Sequence, residues 1–330
     1  MEEGAEPAVN AERDNSLSFD YSLYTSTQQD VLGYTSVGAA SLSVIGTLIM
    51  MVGMISDHRK GNRMNPFHHL LLGLTFCNFC YSLGLCALGP WAIPKEARYY
   101  VNGAKGSFST CNASGFLLCG LLGAAWYWFA IAIYYVMIVT IGWSPSQFGQ
   151  YLEPFGHMMA VLAFLLKGGV SIYYEYFVPL YTLPGICFIG LYPPECASSD
   201  DDVECTRGEP EEFYYSSLLW RYGIPFIFCG IILATILIMV KIQSLDATRM
   251  RTRDVGTQGL CYLAVFFAVF TPAMAVALAD PFPDSTNENQ KAYFAIALIT
   301  KILTPLGGFF NMLVFIRRRF KPLQYATPGR

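Results

Sequence analysis

Three ionisable side chains lie within long apolar stretches of this 330-residue sequence: Lys167, Glu175 and Lys301. An ionisable group at membrane depth is energetically expensive, so such residues are candidates for function. A charged lysine in that position can hold an anionic ligand or hydrogen-bond nearby backbone. In its neutral form the amine can condense with an aldehyde. A long stem that snorkels towards the lipid headgroups explains Lys167 equally well. A belt of interfacial aromatic residues accounts for the tyrosines around Glu175.

Long apolar segments position these residues. Hydrophobic residues make up 54% of the chain and charged residues 14%, with a mean hydropathy of +0.39, which is too little charge for an ordinary soluble surface. A helix needs about 20 predominantly apolar residues to cross a bilayer. We name the stretches that meet this requirement segments one to seven: 31–55, 66–88, 113–140, 157–177, 218–242, 258–279 and 292–316.

The fold class follows from the length of these segments. Membrane-spanning strands would be shorter and would alternate in polarity, so we predict an all-α fold, a seven-transmembrane helix bundle. Segment four is the least apolar, and its loss would leave six spans. Residues 1–30 are predicted to form an acidic disordered tail, 31–316 the helix bundle and 317–330 a short basic tail.

The distribution of positive charge predicts the orientation. Of the 21 lysines and arginines, twelve fall on the side that contains the C-terminus and seven on the side that contains the N-terminus. Cytoplasmic loops carry the excess of positive charge, so the N-terminus is predicted outside and the C-terminus inside. A multi-pass location, in the plasma membrane, is the corresponding expectation.

The cysteines support the same orientation. Six of the ten lie inside apolar segments, and the other four, Cys111, Cys187, Cys196 and Cys205, all fall on the predicted outer side. Disulfides persist in oxidising compartments, and four cysteines allow three pairings. We favour Cys111–Cys187, which would tie the start of segment three to the long outer loop, and Cys196–Cys205, which would close a small acidic loop.

Several classes of function are disfavoured. The net charge of −3 argues against nucleic-acid binding. The sequence has no HExxH, GxSxG or glycine-rich phosphate motif, so we predict neither an enzyme nor a cofactor. The four histidines fall at the inner ends of segments, where we interpret them as interfacial residues and not as metal ligands. Asn112 matches a glycosylation acceptor, but its place at the membrane boundary argues against its use.

Aromatic and charged residues in the outer half of the predicted bundle are candidates for binding an unidentified extracellular ligand, although core packing explains each of them as well. Prolines within segments five, six and seven are candidate hinges, because proline interrupts helical hydrogen bonding. The candidate ligand-binding residues are Trp126, Trp128, Lys167, Glu175, Trp220, Arg221 and Lys301, and the candidate hinge prolines are Pro225, Pro272 and Pro305.

Basic residues on the predicted inner side are candidates for contact with anionic membrane lipid or with an acidic partner protein. One group forms a basic extension of segments five and six, and the other follows segment seven directly. These residues are Lys241, Arg249, Arg251, Arg253, Arg317, Arg318 and Arg319.

The stretch 305–315, with Pro305, Gly307, Gly308 and Asn311, resembles helix seven of cyclic-AMP-receptor-like and secretin-like G-protein-coupled receptors, and residues 70–78 resemble helix two of the same group. The resemblance implies a receptor for an extracellular ligand, coupled to a heterotrimeric G protein, with Gly308 beside Pro305 in a hinge. Gly307 stands where that family usually has glutamine. Segment three lacks an Asp-Arg-Tyr signature, which separates the chain from rhodopsin-like receptors.

Two alternatives to the receptor remain open at this stage. Lys167 and Lys301 are compatible with a small-solute transporter, although segments one to three and five to seven do not resemble each other as repeats would. Lys301 in the seventh segment is also compatible with a retinal-binding photoreceptor. A protonated Schiff base would need a carboxylate partner, and segments one to three contain no aspartate or glutamate.

Overall fold

The computed structural model describes residues 23–60, 64–197, 203–208, 223–224, 226–231, 250–278 and 287–320. Helices form most of these residues. They are α1 (Ser26–Arg59), α2 (Pro66–Leu83), α3 (Phe108–Leu118), α4 (Gly120–Val136), α5 (Pro145–Tyr151), α6 (Glu153–Val161), α7 (Lys167–Tyr173), α8 (Met250–Leu278), α9 (Asn287–Leu303) and α10 (Gly307–Phe320). The strands are β1 (Phe177–Pro179), β2 (Cys187–Ile189), β3 (Leu191–Tyr192) and β4 (Arg207–Gly208).

Within the described residues, five helical stretches are long and apolar enough to cross a membrane. They are Ser26–Arg59, Pro66–Ala92, Phe108–Val136, Glu153–Tyr173 and Thr257–Val276. A sixth candidate is the pair Gln290–Leu303 and Gly307–Arg317, which is bent by 48°. The all-α prediction is confirmed for a multi-pass membrane protein, whereas segment five lies largely outside the described residues, with 226–231 helical.

The pattern of buried and exposed side chains on α1 indicates that lipid surrounds this helix. Ser43 and Thr47 are fully buried against the rest of the bundle, while Ile45 and Val52 are 56% and 66% exposed. A soluble protein places its polar side chains outside, so this helix has the reverse arrangement. Small and polar residues at helix contacts, with aliphatic residues outside, are typical of helices packed in lipid.

Local capping residues extend two of the predicted segments at their start. Thr25 forms a capping box with Gln28, so α1 begins at Ser26 and not at residue 31. Ser107 forms a capping box with Thr110, so α3 begins at Phe108 and not at residue 113. Each box satisfies backbone N–H groups that the first helical turn leaves without a partner.

The predicted end of segment four at residue 177 is wrong. The helix ends at Tyr173, the chain turns at Glu175 with a φ of 57°, and Phe177 opens β1. Phe177 is completely buried by protein, and hydropathy alone does not distinguish such a residue from one buried in lipid. Segment four also begins earlier, at Glu153, through the helices α6 and α7 joined by the π-helical turn Leu162–Leu166.

Segment seven, predicted as one helix, is divided into α9 and α10. Thr304, Pro305 and Leu306 form a turn between them, because proline lacks the N–H that would continue the helical ladder. The helix therefore breaks at Pro305, which is one of the candidate hinge prolines.

Two antiparallel ladders stand at one end of the bundle, which we call the hairpin end. β1 pairs with β2, with Val178 opposite Phe188, and β3 pairs with β4, with Tyr192 opposite Arg207. Both predicted disulfides are confirmed at this end: Cys111–Cys187, with the Cα atoms 5.3 Å apart, and Cys196–Cys205, with the Cα atoms 5.2 Å apart.

Candidate functional site

The hairpin formed by β1 and β2 is fixed to the bundle at its base. Cys187 in β2 is bonded to Cys111 in the first turn of α3, and both are completely buried. Phe177 and Ile189, which face each other across the ladder, are also buried in the main core. The loop that joins the two strands is therefore held against the helices and not free in solution.

The tip of this hairpin reaches the start of α1. The Tyr24 hydroxyl donates a hydrogen bond to the Thr182 carbonyl oxygen at 3.0 Å. Burial, and secondarily the nearby Tyr293, raises the pKa of Tyr24 above its ordinary value, so the hydroxyl keeps its proton and remains a donor. Leu183 packs in the same cluster, against Tyr24 and Tyr293.

Lys301, near the end of α9, contacts the same tip. Its side chain is only 4% exposed, and its Nζ donates hydrogen bonds to the carbonyl oxygens of Pro184 at 2.8 Å and Leu183 at 3.4 Å. No aspartate or glutamate among the described residues forms an ion pair with it. Neutral carbonyl dipoles, from residues more than 100 positions away in the sequence, thus replace the hydration of this amine.

The turn after Lys301 joins α9 to α8. The Thr304 hydroxyl donates a hydrogen bond to the Val269 carbonyl oxygen at 3.1 Å, one turn before Pro272 inside α8. Gly307 opens α10 beside the Trp128 ring, where an added Cβ would stand 3.4 Å from Trp128 Cη2. The hinge candidates Pro272 and Pro305 consequently lie near one contact between α8 and α9, whereas Gly308 packs against Ser43 and Thr47 of α1 and Pro225 lies outside the described residues.

We expect Lys301→Met to loosen the hairpin tip. The substitution leaves the carbonyls of Leu183 and Pro184 without their Nζ donor, and a buried carbonyl that loses its partner costs about 1–3 kcal/mol. Hydrogen exchange of residues 180–186 should speed up, as measured by mass spectrometry on the purified protein in detergent. Lys291→Met is the matched control, since Lys291 lies on the same helix and is exposed; equal exchange in both variants would contradict the contact.

The two tryptophans of segment three have different surroundings. Trp128 is 1% exposed and lies edge-on to Phe266 and Phe270 of α8, with ring centroids 6.1 and 5.6 Å apart. Trp126 is half-buried and contacts Phe129. Trp128 is thus part of the packing between helices, while Trp220 and Arg221 lie outside the described residues.

Lys167 and Glu175 contact the loops of the hairpin end and not Lys301. The Lys167 Nζ lies 5.8 Å from the centroid of the Tyr176 ring, a cation–π distance. Glu175 Oε2 lies 3.1 Å from Arg207 Nη1 in β4. The structure therefore does not bring the described members of the predicted ligand-binding set together at one place.

A polar network lies at the opposite end of the bundle, and its contacts were not predicted from the sequence. His69 Nδ1 of α2 lies 2.6 Å from Glu153 Oε1, and His157 Nε2 lies 3.6 Å from the same oxygen. His157 Nδ1 also lies 2.9 Å from the Tyr127 hydroxyl of α4. The spacing of Glu153 and His157 by four residues on one helix was the available signal. The described residues contain no cluster suited to a metal ion.

The predicted inner basic residues are only partly described. Arg317 Nη1 in α10 lies 3.3 Å from the Cys261 Sγ of α8, which joins these two helices at the end opposite the hairpin. Arg251 and Arg253 lie in α8, and Arg318 and Arg319 lie in α10. Lys241 and Arg249 lie outside the described residues.

No model of a known protein family matches this sequence, and no curated protein sequence matches it significantly. The described architecture and the contacts of individual residues are therefore the basis for the function proposed below.

Proposed function

We propose that this chain is a cell-surface receptor of the G-protein-coupled type, with seven membrane-spanning helices, the N-terminus outside and the C-terminus inside. One observation carries the proposal. The hairpin tip is hydrogen-bonded to Lys301, three residues before the turn at which the α9–α10 pair bends by 48°. A loop at one end of the bundle thus contacts a bent helix pair that leads to the other end.

The disulfides support the orientation in this proposal. Both lie at the hairpin end, and disulfides persist in oxidising compartments such as the cell exterior. The hairpin end is then extracellular, and the end with His69 and Glu153 is cytoplasmic. Residues 218–242 supply the seventh span, which places the two termini on opposite sides of the plasma membrane.

Ligand binding would act on the described contacts as follows. A ligand that favours one position of the hairpin shifts the bundle between conformations. Displacement of Leu183 and Pro184 breaks the hydrogen bonds of Lys301, and α9 then moves about the turn at Thr304. The bond from Thr304 to Val269 passes this motion to α8, whose inner part contacts a heterotrimeric G protein in this proposal and anionic lipid beside it.

A pair of threonine variants tests the proposal. Thr304→Ala removes a hydrogen bond between helices, worth about 1 kcal/mol, and should change basal nucleotide exchange on co-expressed heterotrimeric G proteins by about fivefold. Thr300→Ala is the matched control, because Thr300 is equally buried but its hydroxyl bonds to Ile296 within its own helix. The control should leave exchange unchanged.

Two results would overturn the proposal that this chain is a receptor. Epitope tags at the two termini that are both reachable from one face of sealed cells would exclude an odd number of spans. Concentrative uptake of a solute by reconstituted vesicles, with no nucleotide exchange on any G protein tested, would favour a transporter instead.

A further inference from the structure

The two disulfides of the hairpin end differ in their exposure. Cys111 and Cys187 are completely buried, so a reagent in solution reaches their sulfur atoms only after the fold has opened locally. The Cys196–Cys205 bond lies at the surface, because Cys205 is exposed and Cys196 is half-buried. One bond is therefore open to chemistry from solution while the other is protected.

An open cavity of about 400 Å³ gives access to the exposed bond. Cys196 and Cys205 both line this cavity, beside Thr206 and Tyr174. The volume is within the range of small-molecule sites, so a thiol of a few heavy atoms fits inside it. A small reductant can thus approach the bond without any rearrangement of the helices.

The chain that follows Cys205 is linked to two parts of the bundle. Thr206 donates two hydrogen bonds to the Tyr192 carbonyl oxygen, from its backbone N–H at 2.9 Å and from its hydroxyl at 3.2 Å. Arg207 Nη1 lies 3.1 Å from Glu175 Oε2, and the Arg207 guanidinium carbon lies 4.3 Å from the centroid of the Phe108 ring. β4 therefore joins the end of α7 to the start of α3.

The ladder between β3 and β4 is too short to hold this arrangement alone. Its residue pairs are Leu191–Gly208 and Tyr192–Arg207, and even longer two-stranded ladders are only marginally stable in water. The disulfide restricts the loop that leads into β4 and so limits the conformations open to it. Opening the bond removes this restriction, and we expect β4 to leave Phe108 and Glu175.

Negative charge surrounds the exposed bond and determines which reductants can approach it. The acidic residues that flank the two cysteines or lie between them are Glu195, Asp200, Asp201, Asp202 and Glu204. Arg207 is the nearest base in the sequence and is already paired with Glu175. The attacking species in thiol–disulfide exchange is a thiolate anion, which these carboxylates repel. A second negative group on the reductant increases the repulsion, and a positive group decreases it.

We propose that the Cys196–Cys205 bond is a redox-sensitive switch of the β3–β4 ladder, opened by small neutral or cationic thiols in preference to anionic ones. A thiolate attacks the sulfur of Cys205, the more exposed cysteine, and Cys196 leaves as a thiolate. The thiolate of a second reductant molecule then attacks the mixed disulfide at the reductant's own sulfur, and Cys205 leaves. Two electrons and two protons thus pass from two thiol molecules to the bond, and the reductant is oxidised to its own disulfide.

Reduction of the purified full-length chain in detergent tests the access to the bond. The probes are cysteamine, 2-mercaptoethanol and 3-mercaptopropionate, which carry a positive, a neutral and a negative second group. Each rate is divided by that of the same thiolate with 2-hydroxyethyl disulfide, an uncharged reference that corrects for intrinsic nucleophilicity. Free cysteines are identified by differential alkylation and mass spectrometry.

The Cys196–Cys205 bond should open about 100-fold faster than the Cys111–Cys187 bond. At low salt its relative rate with cysteamine should be about 10-fold higher than with 3-mercaptopropionate. This preference should shrink at about 1 M salt, where the Debye length falls to about 3 Å.

Glu204→Gln tests the role of charge, because Glu204 directly precedes Cys205 and is exposed. Its relative rate with 3-mercaptopropionate should rise about two- to threefold at low salt. Asp57→Asn is the matched control, since it removes the same charge near the far end of α1 and should leave the rate unchanged.

Hydrogen exchange tests whether opening the bond moves β4. After treatment with cysteamine, exchange of residues 203–208 should speed up, while residues 180–186 of the β1–β2 hairpin should keep their rate. The double variant Cys196→Ser/Cys205→Ser should exchange quickly at 203–208 before treatment and should not respond to cysteamine. These measurements are independent of G-protein coupling, so they do not depend on the proposed receptor function.

Three results would overturn the switch: both bonds open at the same rate, the relative rates of the three thiols are equal at low salt, or exchange at 203–208 is the same before and after reduction. All three are measured on the unmodified chain, so they decide the question even if a variant fails to fold.

Discussion

Replacing Cys111 with serine is expected to lower the free energy of unfolding by about 4 kcal/mol. The Cys111–Cys187 bond joins residues 76 positions apart, and a disulfide that closes a long loop removes much conformational freedom from the unfolded chain. The same bond fixes the base of the hairpin, so its loss also frees the tip from Lys301. We expect a large drop in surface expression and in the thermal midpoint of the purified protein.

Two controls separate this effect from a general intolerance of serine. The Cys196–Cys205 bond spans 9 positions, and its loss should cost less, about 3 kcal/mol. Cys80 is buried but forms no disulfide, so Cys80→Ser reports the burial of a hydroxyl alone. A thermal midpoint that stays unchanged when the native chain is reduced would show that the Cys111–Cys187 bond contributes no stability.

Alanine at Gly308 is expected to destabilise the bundle by about 1–3 kcal/mol. Gly308 lies in the first turn of α10, where it packs directly on α1. An added Cβ would be within 2.4 Å of Ser43 Oγ and 2.5 Å of Thr47 Cγ2, which is closer than packed atoms approach. The Ser43 and Thr47 side chains, or the helix that carries them, must therefore shift, and the thermal midpoint should fall.

Gly38 provides a control, because alanine at this position is expected to change the stability in the opposite direction. It lies on α1, and an added Cβ would meet no atom within 4 Å. Alanine there should stabilise the helix by up to about 1 kcal/mol, because glycine is the poorer helix former. If Gly308→Ala and Gly38→Ala change the midpoint in the same direction, the close packing of α1 on α10 is contradicted.

The long apolar stretches were predictable because a bilayer imposes one length requirement on every span. The pairing of the four outer cysteines was favoured but not determined, because Cys196 lies nine positions from both Cys187 and Cys205. The end of segment four was not predictable, because Phe177 is as apolar in a protein core as in lipid. Hydropathy measures transfer from water and does not report which medium receives the side chain.

The partners of the candidate site residues were harder to predict than the residues. Lys301 was identified from its place in an apolar segment, but its acceptors are backbone carbonyls of Leu183 and Pro184, which every residue carries. Arg207 likewise packs on Phe108 and pairs with Glu175, residues that are distant from it in sequence. Such contacts depend on tertiary structure, which periodicity and composition do not encode.

The β1–β2 hairpin, which the Cys111–Cys187 disulfide fixes to the bundle, has a consequence for the kinetics of ligand binding. In the proposed receptor, a ligand that displaces the hairpin tip binds only after the contacts of the tip with Tyr24 and Lys301 have opened. Opening then precedes encounter, so the observed association rate should level off at high ligand concentration instead of rising in proportion to it. When the tip contacts form again around the bound ligand, they equally slow its dissociation. A long residence time would then result even for a ligand of modest affinity.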